Sequence, residues 1–460
     1  MCIRDSLSLG YWLGGRIADR KPDIKILAFA IFLAGGAVSL TILIKDVVLS
    51  LIAAAAVGLE LKSVAAALLL FAPASVLLGF VTPFAVKLKM SSLADSGKTV
   101  GRLYALSTIG SIVGTFAAGF FLIPFVGSVR TLYLIAATLF ALSILLAPFA
   151  FTRLSFAILT LFIFALVSSE YRVFYMLRAN GLHDIDTEYS RVQVFQSIDP
   201  KSGRKFQAIA TDPYFVQSAM FLQGDDAVFE YTPYYHLIRH FKPDHKQTLM
   251  IGGAGYTFPR EYLRRYSYAR IDVVEIDPKM TEIARRFFRL EDDPRLSIFH
   301  EDGRIFLNHA RTGTYDAVLM DAFGSLFSVP YQLTTLEAVQ EINRVLKGDG
   351  IVIFNLGSAI RGPGSRFLHA ELATYKKVFP HVYLFKVNAG YTDEQLQNLI
   401  IIASKSADTP SLQTSDQEIT RLLINIYTKD LPLNSGILTD DLAPVEYYNS
   451  FAQNIYRPRR

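Results

Sequence analysis

Four apolar runs without a charged residue dominate the first third of the chain and restrict what it can fold into. Each run is long enough to cross the roughly 30 Å hydrocarbon layer of a bilayer as a helix. They span residues 26–44, 63–86, 103–129 and 131–152. Hydrophobic residues make up 51% of the sequence, and most of the excess lies before residue 168. We therefore predict an α-helical transmembrane domain over residues 1–170.

The loops between these runs differ in charge. Lysine and arginine cluster in residues 15–25 and 87–102, whereas Lys45 and Arg130 stand nearly alone in the intervening loops. Because cytoplasmic loops carry the excess of basic residues, both clusters are predicted to face the cytoplasm. The absence of charge within the four runs favours an anchor or scaffold over a carrier.

The stretch GRIADR, residues 15–20, resembles the loop that follows the second helix of major facilitator transporters. The apolar piece before it is only about half as long as a crossing helix needs. We therefore expect the chain to lack its true beginning.

Charge and cysteine content exclude some classes of protein. The formal net charge is +5, and the basic residues lie in short loops, so no nucleic-acid partner is predicted. Cys2 is the only cysteine, which excludes an internal disulfide framework. His236 and His240 have the helical spacing of a metal-binding pair, but no third ligand lies near them in sequence, and we predict no metal.

The chain changes character after residue 170. Residues 171–245 contain short alternating segments joined by turns, which predict a small β-rich lead-in domain. Over residues 246–460, strand and helix patterns alternate, which predicts a doubly wound, mostly parallel Rossmann-like sheet. Thr257 is predicted to cap the first helix, and Asp277 the second, with Pro278 at its first position.

Residues that follow the predicted strands form the candidate site, because doubly wound sheets bind ligands beyond the carboxyl ends of their strands. The first strand ends in a turn whose glycines let the backbone approach a ligand: Gly252, Gly253 and Gly255. The second strand ends in Glu275, twenty positions later. A carboxylate at that spacing can accept both hydroxyls of a bound ribose. Together these features predict a nucleoside site.

Two further strand ends contribute acids. Asp302 and Gly303 follow the third strand, and Asp321 follows the fourth and is predicted to point into the crevice. A carboxylate at residue 302 can accept from an exocyclic adenine amine, although an Asp-Gly turn without a ligand is equally compatible with the sequence. The glycine turn also fits a simple strand-to-helix connection, and Glu275 also fits a solvated acid.

This constellation resembles the fold that binds S-adenosylmethionine and, more closely, the spermidine synthase (polyamine aminopropyltransferase) family. The resemblance covers residues 189–387 and includes Tyr189 in EYSRVQV, Gln217 in VQSAMFLQGDD, GGAGYTFPRE, VVEIDP, HEDGR and YDAVLMDAFGS. With the apolar front and the C-terminal LTDDLAPVEYY, the whole chain is similar to membrane-fused spermidine synthase-like proteins.

The resemblance implies roles for particular residues. Decarboxylated S-adenosylmethionine, or S-adenosylmethionine, is the expected co-substrate, and Asp321 is the expected base. The expected nucleoside contacts are Gln217, Gly252, Gly253, Gly255, Glu275, Asp302 and Gly303. Tyr189 is expected to contact the acceptor.

Two positions depart from the family pattern. Gly255 and Gly324 stand where aminopropyltransferases carry aspartates that hold a diamine. Burying an ammonium group without a carboxylate partner is unfavourable, so we predict poor use of putrescine. Asp440 and Asp441 are the acids predicted to compensate.

The sequence therefore predicts a membrane-anchored, spermidine synthase-like transferase that acts on a small-molecule amine or an unknown acceptor, with membrane lipid around its helices. An S-adenosylmethionine-dependent methyltransferase and a non-catalytic nucleoside-binding scaffold are the alternatives. The sequence leaves a homo-oligomer open. Because sulfonium nucleosides are made in the cytosol, the catalytic domain is expected to face the cytoplasm from a multi-pass inner or plasma membrane. The apolar run 154–168 is accordingly interpreted as interfacial or re-entrant.

Overall fold

The computed structural model describes residues 2–55, 57–90, 96–148, 153–211, 215–224, 227–322, 329–433 and 435–455. The chain forms two compact units. The first contains Met1–Ala179 and Asp184–Ser190, and the second contains Asn180–His183 and Arg191–Arg460. The boundary predicted at residue 170 falls inside a helix that continues to Asn180.

The first unit is a helical bundle. Its helices are α1 (Cys2–Arg20), α2 (Ile24–Ala54), α3 (Leu59–Gly79), α4 (Val81–Lys89), α5 (Ser96–Ala117), α6 (Ile123–Val126), α7 (Ser128–Leu146) and α8 (Arg153–Asn180). A π-helical turn, Ala118–Leu122, joins α5 to α6. Within the described residues, five helical stretches are long and apolar enough to cross a membrane: Ile24–Ala54, Leu61–Lys89, Ser96–Val126, Ser128–Leu146 and Leu154–Leu177.

Helix α8 contains residues 154–168, and the prediction that they are interfacial or re-entrant stays a prediction. These residues belong to one continuous helix of 28 residues. The buried Ala165 accepts a hydrogen bond through its carbonyl from the Tyr133 hydroxyl at 2.7 Å. Closer to the end of α8, Glu170 pairs with Arg130 at 3.1 Å. Since Tyr133 and Arg130 lie in the first turns of α7, α8 runs along α7 in the opposite direction.

The ion pairs also show at which end of the bundle the chain leaves this unit. Arg172 pairs with Asp46 in the last third of α2, beside the Arg130 pair. The pair between Asp19 and Lys87, at 2.9 Å, lies at the opposite end, where α1 and α4 finish. If all five long helices cross a bilayer, the chain therefore leaves α8 on the side opposite the predicted cytoplasmic loops.

The second unit contains two sheets. Strand β1 (His183–Asp186) lies where the chain passes between the units, and β2 (Arg191–Ile198), β3 (Lys205–Ala210) and β4 (Ser218–Phe221) pair in an antiparallel manner. The larger sheet contains β5 (Gln247–Ile251), β6 (Arg270–Val274), β7 (Leu296–Phe299), β8 (Tyr315–Met320), β9 (Leu346–Ser358), β10 (His381–Lys386) and β11 (Gln397–Ser404).

The helices of the second unit follow the strands along the chain. They are α9 (Ile238–Phe241), α10 (Thr257–Arg265), α11 (Pro278–Phe287), α12 (Gly303–His309), α13 (Leu336–Val345), α14 (Arg366–Val378), α15 (Gln417–Leu423) and α16 (Val445–Ile455). A short 3-10 helix, Thr232–Leu237, precedes α9.

The larger sheet has seven strands in the order β10-β11-β9-β8-β5-β6-β7. Strands β5 to β9 are parallel, which confirms the predicted doubly wound arrangement. Strand β11 is antiparallel to both β9 and β10, so the sheet is mixed at that edge. The strand order reverses at β5, and this is the switch point at which doubly wound sheets bind ligands. All six residues of β8 are buried, so this strand forms the centre of the core.

The two predicted helix caps have different outcomes. Asp277 caps α11 and accepts from the Lys279 N–H at 2.9 Å, with Pro278 in the first turn, as predicted. The cap of α10 is Tyr256, and Thr257 is already helical, so that prediction is wrong by one residue. Tyr256 occupies this position because its backbone is left-handed, with a φ of 52°.

Candidate active site

Backbone hydrogen bonds continue one residue beyond the strands and bring three strand ends together. The Gly252 N–H donates to the Val274 carbonyl at 2.9 Å, and the Asp321 N–H donates to the Ile251 carbonyl at 2.9 Å. The glycine loop after β5, Glu275 after β6 and Asp321 after β8 therefore share the carboxyl edge of the sheet.

The glycine loop is tight. Gly252 has a φ of +99°, and a Cβ there would lie 2.4 Å from the carbonyl oxygen of Asp321, so no side chain fits. A Cβ at Gly253 would lie 2.7 Å from the ring of Tyr256. Ala254 and Tyr256 have left-handed backbones, with φ of 42° and 52°. The loop thus presents bare backbone at the switch point.

A neighbouring residue, and not its own backbone conformation, leaves no space for a side chain at Gly255. Its φ lies outside the left-handed region, but a Cβ would stand 2.5 Å from Oγ of Ser218 and 3.1 Å from the ring of Phe288. Ser218 begins β4, and the N–H of the preceding Gln217 donates to the Ile209 carbonyl at 2.8 Å. This places the backbone of Gln217 one residue away from the side chain that covers Gly255.

Glu275 holds the glycine loop through hydrogen bonds from the loop backbone. Its side chain is buried, and one carboxylate oxygen accepts from the N–H groups of Gly253 and Ala254, each at 2.9 Å. The other oxygen accepts from the Asp277 N–H at 3.0 Å. Burial raises the pKa of Glu275, while the three amides oppose that rise. Because a carboxylate has about four acceptor positions, one is left for a ligand. Binding of both ribose hydroxyls therefore stays a prediction.

Asp302 caps a helix. One oxygen accepts from the N–H groups of Arg304 at 2.8 Å and Ile305 at 3.1 Å, and the other accepts from the Gln332 amide at 3.2 Å. A Cβ at Gly303 would lie 2.7 Å from a β5 side chain, so α12 begins close to the sheet. The predicted contact of Asp302 with adenine stays a prediction.

The C-terminal acids differ from each other. Asp440 pairs with Arg304 at 2.8 Å and accepts from the Thr335 hydroxyl at 2.6 Å, so its charge is already matched by a cation. Asp441 is exposed. A role for either in holding a diamine stays a prediction, and Asp440 would have to leave Arg304 to take it.

The predictions at two further positions, Tyr189 and Gly324, are not tested by the structure. Tyr189 belongs to the first unit, and its side chain is 54% exposed. Gly324 lies outside the described residues. The contact of Tyr189 with the acceptor and the loss of a diamine-holding acid at Gly324 therefore stay predictions.

Asp321 has side-chain donors around it. One oxygen accepts from the Asn355 amide at 3.0 Å, and the other lies 3.5 Å from the Tyr231 hydroxyl, a weak contact. The buried Tyr235 hydroxyl also lowers the pKa of Asp321, although it makes no hydrogen bond of ordinary geometry. The residue as a whole is half-buried, but its carboxylate is enclosed, and this burial raises the pKa of Asp321 to about 6. A carboxylate with that pKa can accept a proton near neutral pH.

Sequence reasoning did not assign the donors around Asp321. Tyr231 and Tyr235, two of the aromatic residues in the stretch 231–236, face the carboxylate. Asn355 is the polar residue of the apolar stretch GIVIFNL and is buried. A buried amide within an apolar strand is the signal that could have identified it, because buried polar groups need partners.

The His236 side chain makes hydrogen bonds within the protein. Both ring nitrogens of His236 are engaged, one with Glu261 and one with the Tyr266 hydroxyl, each at 2.9 Å. No group of three or more potential metal ligands occurs among the described residues.

The strand order and the strand-end residues define the second unit as a Rossmann-like fold of the spermidine synthase/methyltransferase type, with a mixed sheet. Residues 232–411 match the family described as the spermine/spermidine synthase domain. This segment includes the glycine loop, Glu275 and Asp321.

Relatives of this kind are numerous. The polyamine aminopropyltransferase of Vibrio vulnificus is 26% identical over 265 residues, covering 56% of this chain and 83% of the relative. Polyamine aminopropyltransferase 1 of Streptomyces coelicolor is 24% identical over 396 residues, covering 77% and 72%. A probable spermidine synthase from Corynebacterium glutamicum, known as a crystal structure, is 22% identical with a TM-score of 0.45, covering 52% and 88%. The second unit is therefore similar in sequence to polyamine aminopropyltransferases and spermidine synthases.

Proposed function

We propose that this protein is a membrane-anchored transferase that moves an aminopropyl group from decarboxylated S-adenosylmethionine to an amine. The observation that carries the proposal is Asp321, a carboxylate with a pKa of about 6 at the switch point of the sheet. Next to it lies a glycine loop that carries no side chain at Gly252, Gly253 and Gly255. The sequence relatives with polyamine aminopropyltransferase names support the same chemistry.

The proposed reaction is an in-line displacement. The amine nitrogen forms a bond to the carbon next to the sulfonium, the carbon–sulfur bond breaks, and its electrons leave with the sulfur as methylthioadenosine. Asp321 accepts the proton that the nitrogen loses. The sulfonium is a good leaving group, so the protein contributes mainly orientation and this base. Tyr231 and Tyr235 enclose the carboxylate and limit the access of water to it.

A diamine is a weaker candidate for the acceptor. Gly255 has no carboxylate to offer a second ammonium group, and Ser218 fills the space that an aspartate would use. Asp440 is paired with Arg304. An acceptor with one amine close to Asp321 therefore fits the described residues better than putrescine does.

The absence of an acid at Gly255 also supports a second candidate, transfer of a methyl group from S-adenosylmethionine. A methyl acceptor need not be cationic, so a site in which Gly255 replaces an acid still suits it. The two reactions release different nucleosides, methylthioadenosine and S-adenosylhomocysteine.

Product identity tests both candidates. The full-length protein, in detergent or nanodiscs, is incubated with either sulfonium nucleoside and a panel of mono-, di- and polyamines, and the nucleosides are measured by mass spectrometry. Methylthioadenosine formed only with an amine present supports the main proposal, and S-adenosylhomocysteine supports the second. Neither product, with tight nucleoside binding retained, would favour the binding scaffold.

The location of the second unit is part of the proposal. We propose that it faces the cytoplasm, where sulfonium nucleosides are made, although five crossings would place it on the other side. The test uses a cysteine at the exposed Thr409 in a Cys2→Ser background, with a membrane-impermeant thiol reagent and intact cells. Protection until the cells are permeabilised is expected. A cysteine at Gly58, in the loop after α2, serves as the matched control on the opposite side.

Ready labelling of residue 409 in intact cells would show that the chain leaves α8 outside the cytoplasm. That outcome would contradict both the location and the enzymatic proposal.

A further inference from the structure

Asp321 lies at one end of a chain of side-chain hydrogen bonds that crosses three neighbouring strands. The Asn355 amide nitrogen, on β9, donates to Asp321 at 3.0 Å. The Asn398 amide nitrogen, on β11, donates in turn to the Asn355 amide oxygen at 3.0 Å. Asn355 is buried, whereas Asn398 lies at the exposed end of this chain.

The strand register explains why these three residues meet. Asp321 follows β8, whose last residue pairs with Phe354, so Asn355 is its neighbour on β9. Asn398 pairs with Gly357, two residues beyond Asn355 on the same face of the sheet. Because Gly357 has no side chain, the Asn398 side chain can extend diagonally to Asn355.

The direction of these bonds matters because an amide has two unlike ends. Its oxygen only accepts and its nitrogen only donates. When the Asn355 oxygen accepts from Asn398, its nitrogen must face Asp321, and a donor there stabilises the charged carboxylate. The reversed amide would place an oxygen against Asp321, which is favourable only when Asp321 carries a proton.

We propose that Asn398 is a positioning residue that fixes the Asn355 amide in the orientation that keeps Asp321 ionised and able to accept a proton. The effect on rate rests on the proposed function, whereas the effect on ionisation does not. Asn398 does not touch the reacting atoms in this scheme and acts through Asn355.

The test compares Asn398→Asp with the unmodified full-length protein. An ionised aspartate at residue 398 only accepts, so it draws the Asn355 nitrogen to itself and turns the oxygen toward Asp321. We expect the apparent pKa of Asp321 to rise by about one unit or more. Infrared difference titration of the unliganded protein, with Asp321→Asn subtracted, measures this shift directly. Asn398→Leu, which only removes the donor, is expected to give a smaller shift.

The matched control is Gln395→Glu. It adds the same negative charge at an exposed residue near Asn398 in sequence, and a glutamate can still accept from the Thr392 N–H as Gln395 does at 2.7 Å. This variant isolates the through-space effect of charge from the effect of amide orientation. It is expected to leave the pKa of Asp321 within a few tenths of a unit.

The pH dependence of transfer gives a second readout. In Asn398→Asp, the rise in rate with pH is expected to move to higher pH by the same amount as the titration, with an unchanged plateau at alkaline pH. A lower plateau without a shift would mean that Asn398 has only a structural role and would overturn the proposal.

The two proposals can fail separately. Equal titrations of Asn398→Asp and Gln395→Glu would overturn the role of Asn398, whether or not transfer is detected. A shifted titration in a protein that makes neither nucleoside product would support that role and count against the proposed function.

Discussion

Glu275 and Asp321 follow the two strands that flank β5, and burial raises the pKa of both carboxyls. Their donors differ. Glu275 receives three backbone N–H groups, whereas Asp321 receives side chains from separate parts of the chain. Backbone donors come with the fold and hold a group in place, but side-chain donors depend on residue identity. This difference is consistent with the proposed roles, in which Glu275 supports the glycine loop and Asp321 accepts a proton.

The largest expected effect is on catalysis at Asp321. Asp321→Asn removes the base and keeps the shape of the side chain, so transfer should fall by about 10²- to 10⁴-fold. Steady-state product formation measures this, and binding of methylthioadenosine by calorimetry should change little. Asp349→Asn, at an exposed surface acid of the same unit, is the control and should keep full activity. A loss of less than about tenfold in Asp321→Asn would place the base elsewhere.

The second prediction concerns stability and pH at the same residue. The pKa of Asp321 is about 6 in the folded protein and about 3.9 in an unfolded chain. Between these values the folded state binds more protons than the unfolded chain. The contribution of Asp321 to the free energy of unfolding is therefore fully present below pH 4 and is lost as the pH rises to 6. The penalty above pH 6 is on the order of 3 kcal/mol.

Asp321→Asn lacks this titration. Its stability relative to the unmodified protein should therefore increase by about that amount between pH 4 and pH 7. Denaturant unfolding followed by near-ultraviolet circular dichroism measures the difference at each pH. A constant difference across this range would mean that the pKa of Asp321 is not raised.

The third prediction concerns Glu275, the other carboxyl of the comparison. Glu275→Ala leaves three backbone N–H groups without their acceptor, each of which costs about 1–3 kcal/mol when buried. Nucleoside affinity should drop at least tenfold because the loop loses its support and the ribose loses a carboxylate. Glu275→Gln keeps an oxygen that can accept from the loop. We therefore expect it to retain most of the stability of the unmodified protein but less of its nucleoside affinity. Unchanged binding of methylthioadenosine to Glu275→Ala in calorimetry would contradict the assignment.

The smallest expected effect is at Gly255. Gly255→Asp alone should destabilise the second unit by about 1–3 kcal/mol, because its Cβ would meet Ser218 at 2.5 Å. Combining it with Ser218→Gly removes that contact and should raise the rate with putrescine a few-fold above the unmodified protein. Transfer assays with putrescine and with a monoamine compare the variants. Efficient putrescine use by the unmodified protein would instead point to acids elsewhere, and Asp441 would be the first to replace.

Features encoded within a few residues of each other could be predicted from the sequence. The glycine turn, the strand-end acids and the Asp277–Pro278 helix start all follow local rules. The cap of α10 did not, because Tyr256 adopts a left-handed backbone, which its residue type does not indicate. The antiparallel edge was likewise missed, since β11 pairs with β9, which precedes both α14 and β10 in the chain.

The surroundings of Asp321 and the full length of α8 needed the structure. Tyr231, Asn355 and Asp321 lie far apart in sequence and meet only through the sheet. The apolar run in α8 ends near residue 168, but the helix continues to Asn180, and Glu170 pairs with Arg130 of α7. Hydropathy along one segment cannot register a partner that lies on another.

The ring of Tyr256 occupies the space that a side chain at Gly253 would need. The Tyr256 ring is fully buried, lies 2.7 Å from where a Cβ at residue 253 would stand, and holds Thr281 through a 2.8 Å hydroxyl contact. A side chain at residue 253 would require a smaller residue at 256, and a smaller residue at 256 alone would leave a cavity. The two positions should therefore covary among descendants of this chain, as a coupled pair inherited together.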